Sequence, residues 1–520
     1  MTAPQSPRSI RWWPGIAVAV LALGALVTLW SGETDDSQIR VFKTMAVLFF
    51  SGLGLFLWLM FFARLSGRAR LRWLGGLALA AALGAALFRI EGVTGNFVPI
   101  LAFRFGGGES FEEGSGGGGV ATSPYDYPQF LGPNRNAVIS TVTLAEDWDA
   151  SPPEEVWRRK VGDGWSAFAV VGDAAVTQEQ RQDGEVVVRY ALETGDVVWT
   201  SDVVPDRFDS TIGGHGPRAT PTIADGRVFV FGATGKLRAY GLADGNLLWS
   251  RDVVQETGAK VPEWGLAGSP LWIPADPENG DGEALVVVSS GGAAGKSMSA
   301  YRAADGEPVW TGGSDRAGYS SPSLVTLAGV PQIVVLNGAS VAGHDPDDGS
   351  ILWTREWSGQ QPNVAQPLPF DGERLLVSSG YGIGASMFRF GLDDGGKLTV
   401  DELWHSPRLK AKFTNVVRHG DHIYGLDDGV LVCLDPETGE RCWKRGRYGH
   451  GQLILVGNLL VVQTEDGEIV LLEANPEEHR ELGRFRALEG KSWNNPALSG
   501  PYLLVRNAGE AACYRLPLAS

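Results

Sequence analysis

Hydrophobic residues follow two different patterns along the 520-residue chain. In the first hundred residues they form three long runs, near residues 12–30, 45–63 and 73–90. Each run approaches the ~20 residues with which a helix crosses a hydrocarbon core, although the third holds only 16 uninterrupted apolar or small residues, Trp73 to Phe88. Beyond residue 150, short apolar stretches alternate with polar residues and Gly/Asp turns, which is typical of β-strands. The chain therefore predicts about three transmembrane α-helices followed by an all-β domain.

The arginines around the three runs indicate how the chain is oriented, because positively charged loops remain cytoplasmic. Two arginines precede the first run and four lie between the second and the third; they are Arg8, Arg11, Arg64, Arg68, Arg70 and Arg72. This distribution predicts a three-span protein of the bacterial inner membrane, with everything after residue 90 on the periplasmic, extracytoplasmic side. If the third run does not span, the same rule places the large domain in the cytoplasm. A cleaved signal peptide fits the first run but leaves the other two unexplained.

A hairpin that ends in tryptophan recurs through the second part of the chain. Segments such as RYALETGDVVW and LVCLDPETGERCW combine a short alternating strand, a turn rich in Asp and Gly, and a second strand that closes on tryptophan. In each turn Asp caps the backbone and Gly supplies a positive φ, while tryptophan offers a large apolar plate to a neighbouring sheet. Trp157 at the start and Phe485 near the end complete a series of eight anchors; the others are Trp199, Trp249, Trp310, Trp353, Trp404 and Trp443.

A second landmark lies about halfway between successive anchors, where a polar residue, often followed by proline, opens a hydrophobic run. Its residues are Ser166, Thr220, Ser269, Ser321, Gln366, Asn415, Gln452 and Asn495. Each interval of 39 to 61 residues then holds four short strands, the content of one propeller blade. The C-terminal end offers three strands without a fourth, and the segment around Trp157 is a fourth strand without its three. We therefore expect an eight-bladed β-propeller of four-stranded antiparallel blades, the last built from both chain ends.

The predicted domain organisation is a membrane anchor over residues 1–104, a Gly/Ser-rich linker over 105–124 and the propeller over 125–520. The linker contains GGGESFEEGSGGGG, Gly106 to Gly119, whose composition cannot bury a core and is typical of a flexible tether. A phosphate-binding glycine loop is disfavoured, since such a loop needs a strand before it and a helix after it.

The hairpins resemble the pyrroloquinoline-quinone-like (PQQ-like) β-propeller repeats, whose signature approximates A-x-D-x-x-T-G-x-x-x-W. LDPETGERCW and ALETGDVVW match it most closely, and the resemblance covers roughly residues 125–520, including the lead-in YPQFLGPNRNAVIS, Tyr127 to Ser140. It implies a propeller of one of two kinds. Quinoprotein dehydrogenases hold PQQ and calcium, often beside an adjacent cysteine pair, whereas the BamB-like lipoprotein branch is a non-catalytic scaffold. The chain has neither adjacent cysteines nor a lipobox cysteine.

The three cysteines are Cys433, Cys442 and Cys513, and their spacing forms no CxxC, CxxCH or zinc-type cluster. The sequence therefore predicts no metal site. If Asp435 pairs with Glu440 across the turn, Cys433 and Cys442 face each other, so a cross-strand disulfide in an exported domain is one interpretation. The other is that each cysteine packs as a small buried hydrophobic residue.

A binding site, if the propeller has one, is expected on its axis, where the first strands of the blades converge and loop side chains surround one mouth. The aromatic, amide and charged candidates for holding a flat polar ligand or a peptide are Trp165, His215, Arg218, Glu263, Trp264, Tyr319, Asn363, Lys412, Asn415, His450, Trp493 and Asn494. The alternative is that these side chains only hydrate a water-filled channel and satisfy loop backbone. No catalytic residue is assigned, because His215 has no visible carboxylate partner in the sequence.

These observations favour a membrane-anchored binding or scaffolding module for a protein partner or an envelope component, without a cofactor. The alternative that the resemblance offers is a PQQ-dependent dehydrogenase, loaded with PQQ and calcium, that oxidises alcohols or sugars. Charge argues against nucleic acid as a partner. The net charge is −16, and residues 1–104 carry an excess of six positive charges, so the remainder is strongly acidic and repels phosphate backbones.

Overall fold

The computed structural model describes residues 11–31, 37–105, 111–210, 212–275, 283–292 and 294–519. The chain divides into two units, Met1–Glu109 and Ser110–Ser520, and each is described by itself. Arg8 and the glycines of the linker before residue 111 lie outside the described residues.

Three apolar helices make up most of the first unit, as the hydrophobic runs predicted. They are Trp13–Ser31, Ser37–Leu57, which continues as the π-helical turn Trp58–Phe62, and Gly67–Leu87. All three are long and apolar enough to cross a membrane. A β-hairpin, Phe88–Val93 with Pro99–Phe103, follows them and was not predicted.

The third helix begins six residues earlier than its apolar run. Ser66 caps it, since its Oγ accepts a hydrogen bond of 3.3 Å from the N–H of Ala69. The arginines at 68, 70 and 72, expected in a loop, therefore lie in the first turns of the helix. Arginine is a good helix former, so a cap upstream of the apolar run is enough to draw this segment into the helix.

Eight blades of four antiparallel strands form the second unit, which confirms the predicted propeller; the sheet of blade 7 also contains a fifth, parallel strand, Val138–Ile139. Blades 1 and 2 comprise Ala169–Val171, Ala174–Arg181, Gly184–Ala191 and Val197–Thr200, then Thr222–Ala224, Arg227–Phe231, Lys236–Gly241 and Leu247–Asp252. Blades 3 and 4 comprise Leu271–Ile273, Leu285–Gly292, Lys296–Arg302 and Pro308–Gly312, then Ser323–Leu327, Val330–Leu336, Ser340–His344 and Ile351–Glu356.

Blades 5 to 8 continue the same order. Blades 5 and 6 comprise Leu368–Pro369, Arg374–Ser379, Gly384–Leu392 and Leu398–Ser406, then Val417–His419, His422–Asp427, Val430–Leu434 and Arg441–Arg447. Blades 7 and 8 comprise Gln452–Val456, Leu459–Gln463, Glu468–Glu473 and Glu481–Arg486, then Ala497–Ser499, Tyr502–Arg506, Glu510–Arg515 and Glu154–Lys160. A short helix, Val253–Thr257, follows blade 2.

The first strand of each blade is innermost, since first strands of neighbouring blades contact one another around the ring. The fourth strand is the outer edge. Blade 8 combines the two chain ends as predicted, because Cys513 pairs with Trp157 in an antiparallel ladder. Backbone hydrogen bonds thus join the first and last repeats, so closure of the ring does not depend on side-chain contacts alone.

The anchor tryptophans fasten each blade to the next. Trp199 is buried, its Nε1–H donates a 2.9 Å hydrogen bond to the carbonyl oxygen of Leu242 in blade 2, and its ring lies against Gly245 of the following turn. A Cβ on Gly245, whose φ is +71°, would lie 2.7 Å from that ring. The turn glycine therefore provides both the left-handed backbone and the room for the indole. The same indole-to-glycine contact recurs at Trp157, Trp249, Trp310 and Trp404. Trp443 keeps the hydrogen bond to the next blade, donating to the carbonyl oxygen of Asn475 at 2.9 Å, but no described glycine lies against its ring.

Two other anchors depart further from the pattern. Trp353 donates to the side chain of Gln332 in its own blade rather than to the next blade. Phe485 was predicted as the anchor of blade 7, but the register puts Gly483 at the tryptophan position, immediately after the β-bulge. The indole of Trp148, which follows the lead-in, packs where a side chain on Gly483 would extend, and its ring lies 5.7 Å from that of Phe485. A tryptophan distant in sequence thus fills the vacant position.

The polar landmark forms a hydrogen-bonded belt around the axis. In four successive steps, a backbone N–H of one blade donates to the landmark side chain of the next: Thr220 to Ser269 (2.9 Å), Ser269 to Ser321 (2.9 Å), Ser321 to Gln366 (3.1 Å) and Gln366 to Asn415 (3.0 Å). The position is polar because a buried N–H needs an acceptor that its own sheet does not provide.

The lead-in occupies the propeller axis at one end. Tyr127 exchanges two backbone hydrogen bonds of 2.8 Å with Val170 in the first strand of blade 1. Val138–Ile139 pairs in parallel with the first strand of blade 7. Between them, the buried Arg135 donates to the carbonyl oxygens of Ser269 (3.1 Å) and Pro270 (3.0 Å), and burial lowers its pKa to about 9. Residues of the lead-in therefore take up the axis at this end.

Part of the glycine-rich linker lies along the outer strand of blade 1. Ser115 forms an antiparallel bridge with Trp199, and the N–H of Gly116 donates to the carbonyl oxygen of Val198 at 2.8 Å. Glycine permits this approach, since a Cβ on Gly116 would lie 2.9 Å from that oxygen. The expectation of a freely flexible tether is therefore corrected for this stretch, which pairs with the sheet.

Glu185 is a buried carboxyl between blades 1 and 2 that makes stability depend on pH. Its Oε1 accepts a 3.3 Å hydrogen bond from the N–H of Ala233, and burial raises its pKa from 4.5 to about 7. The folded protein therefore binds more protons than the unfolded chain between these pH values, so stability falls as pH rises from 4.5 to 7 and then levels off. Urea unfolding should show Glu185→Gln to be more stable than wild type at pH 8 by about 3 kcal/mol, and equal to it near pH 4.5. Exposed Glu193→Gln is the control, and an unchanged pH dependence in Glu185→Gln would contradict the assignment.

Candidate functional site

Aromatic side chains from several blades meet at the mouth of the axis opposite the lead-in. Each belongs to the segment just before the first strand of its blade, so the propeller ring itself brings them together. The Trp165 and Trp493 rings, from blades 1 and 8, have centroids 5.1 Å apart, and those of Trp264 and Tyr319, from blades 3 and 4, also lie 5.1 Å apart. All four side chains are partly exposed. The sequence-based prediction that these residues share one mouth is consistent with this arrangement.

Phe413 of blade 6 joins these pairs into one cluster. Its ring centroid lies 5.0 Å from that of Trp493 and 5.7 Å from that of Trp264. It also contacts the rings of His450, at 5.6 Å, and Tyr381, at 6.4 Å. Blades 3 and 6 lie three places apart in the ring of eight, so the contact between Phe413 and Trp264 crosses the central space. Side chains therefore fill the axis at this mouth, and its outer side is an aromatic surface.

Two lysines lie over the rings of the cluster. The Nζ of Lys491 is 4.1 Å from the ring centroid of Trp493 and 4.8 Å from that of Trp165. The Nζ of Lys412, a buried side chain, is 4.7 Å from the ring of Tyr381. Cations at these distances are attracted by the quadrupole of the ring. The mouth thus combines aromatic faces with positive charge.

Glu465 fixes the rim between blades 7 and 8. Its Oε1 accepts a 3.0 Å hydrogen bond from the Nε1–H of Trp493, and its Oε2 accepts one of 3.0 Å from the backbone N–H of His450. The carboxylate therefore orients one aromatic ring and one loop at once. This degree of positioning is what a preformed binding surface requires.

His215 has a carboxylate partner that the sequence did not reveal. Its Nδ1 lies 3.0 Å from Oδ1 of Asp209. Although partial burial acts to raise the pKa of Asp209, hydrogen bonds and charge from Arg207 and its other neighbours hold it below its usual value. Arg218 of the same loop donates to the carbonyl oxygens of Gly213 and Gly214, which fold the loop around its guanidinium.

The remaining candidates do not share one role. Asn363 and Asn494 are buried, and Asn494 ties blade 8 to blade 1 by donating a 2.9 Å hydrogen bond to the carbonyl oxygen of Ser166. Asn415 belongs to the belt around the axis. Glu263 is exposed beside Trp264. The three asparagines therefore serve the fold, while Glu263 marks the accessible rim.

Comparison with known proteins places the chain in a family. A family model described as outer membrane protein assembly factor BamB matches residues 182–445, half of the chain. The chain belongs to this BamB family. BamB of Shewanella oneidensis is 22% identical over 341 residues, which cover 63% of this chain and 80% of that protein. The PQQ-like resemblance inferred from the hairpins is thus confirmed.

Two dehydrogenases are also similar to this BamB family member. The quinoprotein alcohol dehydrogenase PedH of Pseudomonas putida is 27% identical over 206 residues, 36% of this chain and 29% of that enzyme. A europium-containing methanol dehydrogenase of known structure superposes with a TM-score of 0.56 at 13% identity, over 76% of this chain and 98% of the enzyme. Identity this low shows a shared fold alone.

The donor set of the mouth does not fit a quinone held with calcium. Among the described residues, no three His, Cys, Asp or Glu side chains group as metal ligands. The mouth carboxylate of Glu465 is already bonded to Trp493 and His450. Cys433 and Cys442, in turn, lie on the third and fourth strands of blade 6, away from the mouth.

The two cysteines of blade 6 are free thiols in different environments. Asp435 and Glu440 pair across the turn as predicted, with an N–H to O distance of 3.0 Å. A β-bulge then sets Cys433 opposite Trp443, and Cys442 occupies the bulge. Cys433 is buried, which raises its pKa, whereas Cys442 is exposed. The interpretation that the two cysteines are direct cross-strand partners therefore misses by one residue, because the bulge shifts the pairing. The other interpretation, that each cysteine is a small buried hydrophobic residue, holds for Cys433 but not for Cys442.

Phe413, Tyr381, Lys491 and Glu465 belong to this mouth but were not predicted. For Phe413 the signal was present: it precedes the landmark Asn415 by two residues, as Trp493 precedes Asn495 and Tyr319 precedes Ser321. Aligning the repeats on the landmark would have found it. Tyr381 and Glu465 follow second strands instead, so no repeat position points to them.

Proposed function

We propose that the protein is a membrane-anchored binding propeller whose aromatic mouth holds a segment of a protein partner or envelope component. The three apolar helices support an anchor in the inner membrane, and the arginine distribution supports a propeller on the periplasmic side. The printed name of the Shewanella relative, an outer membrane protein assembly factor, supports a role in the cell envelope.

The observation that carries the proposal is the filled axis. The lead-in occupies one end through Tyr127 and Arg135, and the Phe413 and Trp264 rings meet across the other. The geometry thus offers a broad surface rather than a deep pocket. Exposed aromatic rings beside cations are the residue types that dominate the energetics of protein interfaces.

The test is site-specific photo-crosslinking of the full chain in its native membranes. A benzoylphenylalanine at Glu263, on the mouth rim, should give a discrete crosslinked protein band, and Trp493→Ala should weaken that band at least about tenfold, as loss of an aromatic hot spot predicts. The same crosslinker at the exposed Asp225, between the first two strands of blade 2, is the control. Equal bands at both positions, or a band at Glu263 insensitive to Trp493→Ala, would contradict a mouth-specific partner.

The alternative is a PQQ-dependent dehydrogenase of alcohols or sugars. The likeness to PedH and to the methanol dehydrogenase favours it at the level of the fold. Incubation of the purified protein with PQQ and calcium tests it. If quinone absorbance remains at one equivalent per protein after gel filtration and the protein oxidises substrate in a dye-linked assay, the dehydrogenase replaces the scaffold proposal. A protein that retains no quinone supports the scaffold proposal.

A further inference from the structure

The outer edges of the blades differ in their protection against strand pairing. Each fourth strand is the last of its sheet and turns a row of backbone N–H and C=O groups outward. On blades 4 to 8, an exposed charged side chain stands within two residues of the tryptophan position: Arg355, Glu402, Arg445, Arg484 and Arg158. On blade 3, Pro308 occupies the edge. Charges and proline both discourage another strand from pairing there.

Blade 2 lacks this protection. Leu247 and Leu248, just before its tryptophan, are 53% and 49% exposed, and Ser250 follows. Its nearest charged side chain, Arg251, is only partly exposed, unlike the five charged side chains named above, and its Nε donates to Oε1 of Glu256 at 2.8 Å. The edge from Leu247 to Ser250 is therefore apolar, uncharged and accessible.

Blade 1 shows how an edge of this type is covered. The N–H of Thr200, the residue after its tryptophan, donates a 3.0 Å hydrogen bond to the carbonyl oxygen of Gly114, and Gly116 donates to Val198. The equivalent apolar pair, Val197 and Val198, is only partly exposed as a result. This segment then reaches blade 2, where the N–H of Gly118 donates to the carbonyl oxygen of Ala243 at 3.2 Å.

We propose that the outer strand of blade 2, Leu247–Asp252, is a docking edge for an extended, uncharged segment of a partner protein, rich in small residues. The segment would add an antiparallel strand as residues 114–116 do on blade 1. A cleft of about 680 Å³ beside the two outer strands gives room for the side chains of an added strand. It is lined by Ser115, Leu247 and Ser250 and also by the charged residues Asp202, Lys236, Arg238, Asp244 and Asp252. The inference rests on the proposed protein-binding function and names a second surface for it.

The test uses the full chain in detergent and a synthetic ten-residue peptide that alternates valine with glycine or serine. Hydrogen–deuterium exchange should slow at least about fivefold in residues 247–252 when the peptide is added. Ser250 corresponds to Thr200, so Ser250→Pro removes the N–H that an added strand needs, and Leu248→Lys places a charge on the edge. Both should weaken peptide binding about tenfold or more, measured by fluorescence anisotropy.

Leu392→Lys is the matched control, because Leu392 is 51% exposed at the end of the third strand of blade 5. It should leave binding unchanged, and thermal unfolding should show all three variants folded. The proposal would be overturned if the peptide did not bind, if it slowed hydrogen–deuterium exchange only outside residues 247–252, or if both edge variants bound it with unaltered affinity. If crosslinks from Glu263 persist in that case, the mouth proposal stands and only the edge proposal falls.

Discussion

Replacing Trp199 by alanine should destabilise the propeller by about 3 to 5 kcal/mol. Its indole is 1% exposed, packs against Gly245 of blade 2, and donates to the carbonyl oxygen of Leu242. Truncation therefore removes a large apolar contact, leaves a cavity between two blades and orphans a buried acceptor. Urea unfolding followed by far-UV circular dichroism measures the change, since that signal does not depend on the deleted indole.

Trp264→Ala is the matched control for this prediction. The same residue type is deleted, but Trp264 lies partly exposed at the mouth, where its ring contacts Gly213 and Tyr319 rather than the hairpin turn of a neighbouring blade. We expect a loss of about 1 kcal/mol at that position. Equal losses at the two positions would show that the anchors do not carry the interfaces between blades.

The blade count was predictable because the features that specify a blade are local. An Asp/Gly turn, a following tryptophan and a polar residue before the next first strand all recur within some fifty residues, and each has a physical partner in the structure. Gly245 needs a positive φ and an absent Cβ for Trp199, and Ser269 supplies the acceptor for the N–H of Thr220. Closure followed from counting strands at the two ends, which Trp157 and Cys513 confirm.

The departures arise where one part of the chain substitutes for a repeat element elsewhere. Gly483 breaks the tryptophan series because Trp148, far away in sequence, fills its position, and no local pattern connects the two. The lead-in carries no strand periodicity, so its occupation of the axis through Arg135 was not visible in the sequence. Long-range packing of this kind depends on the assembled ring rather than on local propensity.

The mouth was predictable in outline only. In an eight-bladed propeller, residues next to the first strands converge on the axis. This reasoning identified Trp165, Trp264 and Trp493 as candidates. The sequence did not show which of these side chains remain accessible to solvent. Trp493 and Asn494 are neighbours in sequence, yet Trp493 is partly exposed and Asn494 is buried. The bulges before each tryptophan position also escaped notice, and this moved Cys442 out of register with Cys433.

Arg506→Ala should cost about 3 to 4 kcal/mol, because this side chain holds the closing blade against blade 1. Arg506 is fully buried on the second strand of blade 8, and its guanidinium donates to Thr177 Oγ1 at 2.7 Å and to the carbonyl oxygens of Gln178 at 3.0 Å and Gly162 at 2.9 Å. Truncation leaves these buried acceptors unpaired and opens a cavity beside them.

The effect should concentrate at the junction of the two chain ends. Urea unfolding gives the total loss, and hydrogen–deuterium exchange should accelerate most in Glu154–Lys160 and in blade 1, because their contact with blade 8 loosens first. Arg506→Lys should recover part of the loss, since an ammonium can satisfy some of the three acceptors but cannot match the planar fork. The exposed Arg515→Ala, on the adjacent strand, should change stability by less than about 0.5 kcal/mol. If Arg506→Ala loosened all blades equally, the ring would owe its closure to the Trp157 ladder rather than to this clamp.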